Sequence, residues 1–255
     1  MPIAILSALE VEITSLLDST EGLIREDLAG WSVWRGRLVG REVILAHSGL
    51  GKVNTAALTA LIWERDQPDS FIFTGVAGAL DPALAIGDIV VAERTIQHDA
   101  GVITDEGLEI YQAGHVPFFN PTDEFGYRPP ADLLDTVRAV AAEVALSPVL
   151  DHMPTIILGT IVTGDVFVVD PATRDRLREA LGAQAVEMEG AALAQVSSRL
   201  GIDHLVIRAI SDLAGEEAID DFDRFLPEVA ANSTRLVTAL VERLEDHDRD
   251  RALGS

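Results

Sequence analysis

Short runs rich in β-branched residues alternate with helical stretches along almost the whole chain, and this alternation constrains its fold more than any other feature. The pattern is typical of a layered α/β domain, in which helices pack against a central sheet. The segments predicted as strands are 2–7, 32–38, 41–47, 69–74, 88–95, 154–163 and 204–209. The segments predicted as helices are 10–18, 52–65, 130–146, 171–181, 189–200 and 222–245.

Local signals refine these elements. The strands at 31–38 and 41–47 are separated only by Val39-Gly40, which predicts a β-hairpin and hence a mixed rather than a purely parallel sheet. Asp170 and Pro171 predict the cap and the first turn of a helix. The helix at 52–65 is predicted to bury the face formed by Val53, Ala56, Ala57, Ala60 and Leu61.

The chain is expected to form one domain. No repeat or low-complexity linker divides its 255 residues, so residues 1–245 are predicted to fold together. Residues 246–255 are expected to be a charged, flexible tail. The segment 99–130 contains glycine, proline and aromatic residues without a sustained period, and a loop of this length is usually functional or mobile.

Charge and cysteine content exclude several functions. The chain carries 19 lysine and arginine residues against 42 aspartate and glutamate residues, a formal net charge of −23. Nucleic acids and anionic membranes are bound by clustered basic residues, so neither is expected as a partner. The absence of cysteine excludes disulfides, thiolate catalysis and cysteine-ligated metals. The amino terminus lacks the basic region of a signal peptide, and we expect a cytoplasmic protein.

Two glycine-rich segments have part of a nucleotide-binding pattern. Residues 48–54 lack the first glycine of a phosphate loop and the Ser or Thr after Lys52, which excludes a nucleoside triphosphatase. Residues 75–78 do not complete a dinucleotide fingerprint, yet they indicate close approach of the backbone to a ligand or another strand. The histidines do not pair at metal-ligand spacing, and His98 beside Asp99 is more simply a loop histidine with a carboxylate partner.

Three carboxylates occupy positions that a purely structural role explains poorly. Glu12 begins a helix after the first strand, and Asp212 follows an apolar strand. Ligands of open α/β sheets collect at the carboxyl ends of strands, so these two distant residues are candidates for one crevice. Glu189 lies between an apolar stretch and an alanine-rich helix. The alternative for each of them is helix capping near an N-terminus.

The segments around these carboxylates resemble the signature of one enzyme family. Residues 186–189 and 208–212 are similar to motifs of the 5′-methylthioadenosine/S-adenosylhomocysteine nucleosidases, within the nucleoside phosphorylase superfamily. Further segments in the family's order are 8–12, 48–53, 74–78, 87–91 and 163–167, so the resemblance spans residues 1–245. It implies a three-layer α/β/α fold, a homodimer, and hydrolysis of the bond between a purine and ribose without cofactor or metal.

The resemblance also implies roles for the matching residues. Asp212 would be the general acid that protonates the imidazole nitrogen of the purine, oriented by Ser211, and Glu12 would activate the attacking water. Met188 and Glu189 would hold the ribose. Phe167 would stack on the base, with a buried core phenylalanine as the alternative reading. The other residues expected to contact the substrate are Arg208, Val76, Ala77, Gly78, and Val166 or Val168 through the backbone.

The chemistry of an N-glycosidic bond suits these residue types. Its cleavage develops positive charge on the sugar and negative charge on the departing base. One carboxyl group must donate a proton while a carboxylate takes one from water, and a third stabilises the sugar cation. The loop at 7–12 has two carboxylates and no basic residue, which favours water over phosphate as the nucleophile. A phosphorylase and a non-catalytic nucleoside-binding protein remain the alternatives.

The 5′ group of the substrate is the open part of this interpretation. The resemblance implies that residues 104–130, partly from a neighbouring subunit, cover this group, and the segment is longer than its usual counterpart. An apolar lid over a thioalkyl substituent is predicted from Pro117, Phe118 and Phe119. A polar 5′ group is equally suited by His115, Asn120 and Asp123, so adenosine or a futalosine-like nucleoside is the alternative substrate.

Overall fold

The computed structural model describes the backbone of residues 1–253 and their side chains except 223, 227 and 245–253. The elements in chain order are β1 (Ile3–Ser7), α1 (Glu10–Asp18), β2 (Glu21–Leu28), β3 (Trp31–Leu38), β4 (Arg41–His47), α2 (Lys52–Asp66), β5 (Ser70–Ala79), β6 (Ile89–Gln97), β7 (Gly101–Thr104), β8 (Gly107–Ile110), α3 (Ala131–Glu143), β9 (Ile156–Thr163), α4 (Pro171–Leu181), β10 (Ala183–Glu187), α5 (Gly190–Leu200), β11 (Asp203–Asp212) and α6 (Ala218–Leu253).

A mixed sheet in the order β10-β9-β6-β11-β5-β1-β4-β3-β2 forms the centre of the molecule. Alternate side chains of β1 face opposite sides because successive residues of a strand point to opposite faces. Ile3 and Ile5 join an apolar cluster with α1, α3 and α6, whereas Ala4 and Leu6 join another with α2 and α5. The predicted three-layer α/β/α fold with a mixed sheet is therefore confirmed.

One end of this sheet closes on itself. Strand β10 pairs in parallel with β9 and also antiparallel with the central strand β5, through Ala185 to Ala79 and Val186 to Gly78. Strands β5, β11, β6, β9 and β10 thus form a closed ring of pairings. The closure brings the end of β10 to the glycine-rich end of β5, next to the ends of β1 and β11.

Several local predictions agree closely with the structure. Helices α1 and α4 have the predicted bounds, and the Asp170 side chain caps α4 by accepting a hydrogen bond from the Thr173 N–H. Strands β3 and β4 pair antiparallel across Val39 and Gly40, whose φ angles of 44° and 86° are those of a tight hairpin turn.

Other elements were not predicted. Strand β2 is an exposed edge strand without hydrophobic alternation, β10 is short and apolar, and β7 and β8 form a small hairpin inside the segment predicted as a loop at 99–130. The predicted buried face of α2 is wrong, because Val53 is 79% exposed. The helix instead buries Leu58 and Ile62 with two threonines, a stripe at the same spacing that offers larger side chains to the core.

The carboxy-terminal helix α6 begins at Ala218 and continues to Leu253. It is longer than the predicted helix at 222–245 at both ends. The tail predicted at 246–255 lies outside the residues whose side chains are described. In the part of the chain that the structure describes, no helix is both long and apolar enough to cross a membrane.

Candidate active site

A pocket of about 430 Å³ lies where the ends of β1, β5, β10 and β11 meet. Its wall is predominantly apolar, with acidic side chains placed among the apolar ones, as in many small-molecule sites. The lining residues are Ala8, Leu9, Glu12, Leu50, Val76, Ala77, Gly78, Val166, Phe167, Val168, Val186, Glu187, Met188, Glu189, Ser211, Asp212 and Phe222. The structure thus brings together the three carboxylates that the sequence places far apart.

Glu12 is held at the start of α1 by backbone donors. Its Oε2 accepts hydrogen bonds from the N–H groups of Ala8 and Leu9 at 3.0 and 2.8 Å, and its Oε1 accepts one from Val76 N–H at 3.1 Å. Burial raises the pKa of Glu12, while the Arg208 guanidinium and these N–H groups act in the opposite direction. The carboxylate is fixed in orientation, and its basicity is above that of a glutamate in water.

Asp212 ends β11 and is also buried. Its Oδ2 accepts a hydrogen bond from the Ser211 hydroxyl at 2.9 Å, and its Oδ1 accepts one from Ala214 N–H at 2.9 Å. Burial raises the pKa of Asp212 and outweighs these two donors. A carboxyl group with a raised pKa retains its proton closer to neutral pH, which is what a general acid requires.

Glu189 is the residue that precedes α5. Its Oε1 accepts a hydrogen bond from Gly51 N–H at 2.8 Å, and its Oε2 lies 3.4 Å from Arg208 Nη2. Burial, with Glu187 and Glu12 nearby, raises its pKa to about 7 despite the charge of Arg208. Both the neutral and the ionised form of Glu189 are therefore populated at physiological pH.

Arg208 supports these carboxylates from behind the pocket wall. It is fully buried, forms an ion pair with Glu187, and its guanidinium carbon lies 4.6 Å from the centroid of the Phe73 ring. Glu187 also accepts hydrogen bonds from the N–H groups of Glu189 and Gly190. The pairing with Glu187 explains why Arg208, expected to contact the substrate, is not among the lining residues.

An aromatic wall faces the carboxylates. Phe167 is 45% exposed at the pocket and packs edge-on against Phe222 of α6, with ring centroids 5.8 Å apart at 88°. Phe167 is therefore not a core residue. Val166 and Val168 line the pocket on either side of it.

Phe118 and Phe119 are not brought to the pocket. Their side chains are 81% and 83% exposed and do not line the cavity. The segment that carries them is folded on itself: Tyr111 Oη bonds to the backbone of Thr122, and the Asn120 side chain bonds to Gly114 O and Val116 N. Within one chain, this local hydrogen bonding leaves both phenyl groups at the surface.

Six of the lining residues were not predicted from the sequence: Ala8, Leu9, Leu50, Val186, Glu187 and Phe222. Phe222 carries a recognisable signal, since it is an aromatic residue in the first turns of the helix that follows Asp212. Leu9 and Leu50 carry none, because an apolar residue in a loop has the same pattern whether or not it lines a pocket. Across the described side chains, no group of three or more histidine, aspartate and glutamate residues has an arrangement that could hold a metal ion.

Comparison with known proteins agrees with the fold and the pocket. A family model of the phosphorylase superfamily matches residues 2–242. The class of protein is thereby defined, and the chain belongs to the phosphorylase superfamily.

Individual relatives narrow the family further. The 5′-methylthioadenosine/S-adenosylhomocysteine nucleosidase of Mycobacterium tuberculosis is 42% identical over 245 residues, which cover 94% of this chain and 96% of that protein. The crystal structure of the same type of nucleosidase from Colwellia psychrerythraea, in complex with adenine, has a TM-score of 0.83 at 33% identity and 96% coverage of both chains. Futalosine hydrolase of Helicobacter pylori has a TM-score of 0.82 at 30% identity, with 95% and 97% coverage. Within the superfamily, the chain is a member of the 5′-methylthioadenosine/S-adenosylhomocysteine nucleosidase family.

Proposed function

We propose that this protein hydrolyses the N-glycosidic bond of 5′-methylthioadenosine and S-adenosylhomocysteine, releasing adenine and the thioribose sugar. The observation that carries the proposal is the convergence of Glu12, Glu189 and Asp212 in one apolar pocket. An N-glycosidase needs a base, an acid and a negative group near the sugar, and these three carboxylates supply that set.

In this mechanism the adenine ring stacks on Phe167, and the backbone of Val166 or Val168 contacts its edge. Asp212, whose raised pKa favours the protonated form, donates its proton to the imidazole nitrogen of the base as the glycosidic bond breaks. Ser211 orients the carboxyl group through its hydrogen bond. The departing adenine therefore leaves as a neutral molecule, which lowers the barrier to cleavage.

On the sugar side, Glu189 accepts hydrogen bonds from the ribose hydroxyls, with Met188 beside it. Negative charge here stabilises the cation that develops on the sugar. Glu12 removes a proton from a water molecule, which attacks the anomeric carbon. Three fixed N–H donors keep the Glu12 carboxylate oriented, so little reorganisation accompanies the step.

Water rather than phosphate is the proposed nucleophile. The residues that line the pocket include no lysine, arginine or histidine and four acidic residues, so a phosphate dianion would be repelled. Arg208, the cation behind the wall, is already paired with Glu187 and Glu189. Phosphorolysis is disfavoured by the same charge distribution.

The experiment that tests this function measures release of the free purine base from 5′-methylthioadenosine, S-adenosylhomocysteine, adenosine and futalosine, each with and without phosphate. We expect the first two to be hydrolysed at equal rates in both conditions, with a free sugar as the second product. A sugar phosphate formed only with phosphate would contradict the mechanism. Preference for futalosine would support the second candidate, which the similarity to futalosine hydrolase of Helicobacter pylori favours.

We also propose that the enzyme works as a homodimer in the cytoplasm and serves methionine salvage. Phe118 and Phe119 are large apolar side chains at the surface, and contact with a second copy would remove them from water. Such a contact would let the neighbouring subunit cover the 5′ group. Sedimentation of the purified chain tests the dimer, and a monomer at micromolar concentration would contradict it.

A further inference from the structure

Two loops border the pocket proposed to bind the nucleoside, one on the side of the base and one on the side of the ribose. We call residues 164–168, which contain Phe167, the base loop, and residues 48–51, which bond to Glu189 through Gly51 N–H, the ribose loop. The two loops come from distant parts of the sequence. Their relative position decides whether the base and the ribose are held at the same time.

Three residues outside the pocket lining join these loops in a closed set of hydrogen bonds. Lys52 N–H donates to Asp165 Oδ1 at 2.8 Å, and Lys52 Nζ donates to Asp99 Oδ1 at 2.6 Å. Asp165 N–H donates in turn to Asp99 Oδ2 at 2.9 Å. We call this arrangement the Lys52–Asp99–Asp165 ring. Lys52 directly follows the ribose loop, and Asp165 belongs to the base loop.

The residues around the ring allow the base loop and the ribose loop to lie close together. Gly51 has a φ of 90°, and a Cβ at this position would lie 2.9 Å from Asp165 Oδ1, so a side chain would separate the two loops. Lys52 Nζ also bonds to Gln97 Oε1, and Gln97 Nε2 bonds to Gln195 on α5. Burial alone would raise the pKa of Asp99, yet its bonds to Lys52 and Asp165 N–H lower it, which keeps the carboxylate charged at neutral pH.

We propose that the Lys52–Asp99–Asp165 ring is a positioning device, which holds the base loop and the ribose loop in the arrangement that binds a nucleoside. This inference rests on the proposed function. It assigns a role to the Gly51-Lys52 and His98-Asp99 segments, which the catalytic mechanism does not use. The hydrogen bonds of Asp99 come from Lys52 and Asp165 N–H, and the adjacent His98 interacts with it through charge.

The effect of breaking the ring on affinity depends on the fraction of molecules in which the two loops are aligned. If the aligned state falls from almost all molecules to below about a tenth, the apparent affinity falls by the same factor, whereas a bound substrate still meets an intact acid and base. The ring should therefore act on KM and leave kcat nearly unchanged. Because its ion pair is partly exposed, its contribution to global stability should be small.

The test uses Asp99→Asn, Lys52→Met and the double variant, with 5′-methylthioadenosine as the substrate. We expect KM to rise at least about tenfold in each, with kcat within about threefold and Tm within about 3 °C of the wild type. The double variant should be no worse than the single ones, since either change opens the same ring. The pH profile of kcat should keep its shape, because the ring contacts neither Glu12 nor Asp212.

The matched control is Glu26→Gln, which removes a partly exposed partner of Arg35 on the edge of the sheet far from the pocket. Its KM should stay at the wild-type value. An unchanged KM in Asp99→Asn, or a lowered Tm with unchanged KM, would overturn the positioning role.

Calorimetric binding of adenine alone separates this inference from the proposed function. If the wild type cleaves none of the nucleosides, the proposed hydrolysis fails, and the ring is then judged by adenine affinity. Weakening of adenine binding by at least about tenfold in Asp99→Asn would still support the ring. Equal affinity in the two proteins would refute it.

Discussion

Gly75 leaves the space that the Glu12 carboxylate occupies: a Cβ on Gly75 would lie 2.7 Å from Glu12 Oε1 and would also overlap the Arg208 guanidinium. Gly75 is therefore required by the side chains next to it rather than by a turn. A backbone without a Cβ allows the proposed base and the buried cation to approach the same strand.

Gly75→Ala is accordingly expected to displace Glu12 and reduce kcat by about 10- to 100-fold, part of the usual contribution of a general base. Steady-state kinetics with 5′-methylthioadenosine measure this loss. Gly215→Ala is the control, since its Cβ would have no neighbour closer than 3.9 Å. A Gly75→Ala enzyme with wild-type kcat would show that Glu12 tolerates displacement and is not the base.

Replacing the proposed acid should separate chemistry from binding. The asparagine of Asp212→Asn keeps an oxygen that can accept the hydrogen bond from Ala214 N–H. Its amide group, unlike a carboxylic acid, cannot donate a proton to the purine base. We expect kcat to fall by about 10²- to 10⁴-fold, while calorimetry shows adenine binding within about tenfold of the wild type. Near-normal turnover in Asp212→Asn would remove this residue from the mechanism.

The pH dependence should report the environment of Glu12. Because burial raises its pKa, the carboxylate becomes protonated, and unable to act as a base, at a higher pH than a glutamate in water would. The acidic limb of kcat/KM is therefore expected above pH 4.5, and Glu12→Gln should lose at least about a hundredfold in kcat. An acidic limb below this pH, together with full activity in Glu12→Gln, would indicate another base.

Glu189 should couple stability to pH. Its pKa is about 7 in the folded protein, against 4.5 for an ordinary glutamate such as that of the unfolded chain. Between these two pH values the folded form therefore binds a proton that the unfolded form has released. The free energy of unfolding should therefore decrease as pH rises from about 5 to 8, by on the order of 1–3 kcal/mol from this group. Urea unfolding of Glu189→Gln should show a weaker decrease. An equal slope in the two proteins would contradict the assignment.

The sequence allowed prediction of most elements whose side chains alternate regularly, such as β1 and β4, and of helices with clear caps, such as α4. Strand β2 escaped because it lies at the sheet edge with mostly exposed side chains. The buried face of α2 was predicted wrongly because alanine and leucine stripes at helical spacing look alike until the packing partner is known.

The candidate site also contains residues that could be predicted from the sequence and residues that could not. The carboxylates were predictable because charged residues after apolar strands need an explanation, and Glu12, Glu189 and Asp212 meet in one pocket. Phe222 was missed although it lies in the first turns of the helix after Asp212, because a single aromatic residue there is equally compatible with core packing. Phe118 and Phe119 were expected at the pocket, but hydrogen bonds within their own segment determine where they lie in a single chain.

The closure between β5 and β10 has a consequence for how the enzyme becomes active during folding. The pairs Gly78–Val186 and Ala79–Ala185 connect positions more than a hundred residues apart, and contacts of such long separation form late because loop entropy opposes them. Glu187 and Glu189 follow directly after the closing strand, and Asp212 follows further along the chain. A nascent chain on the ribosome therefore has no active centre until its last third has emerged, so the site arises together with the completed fold and not before it.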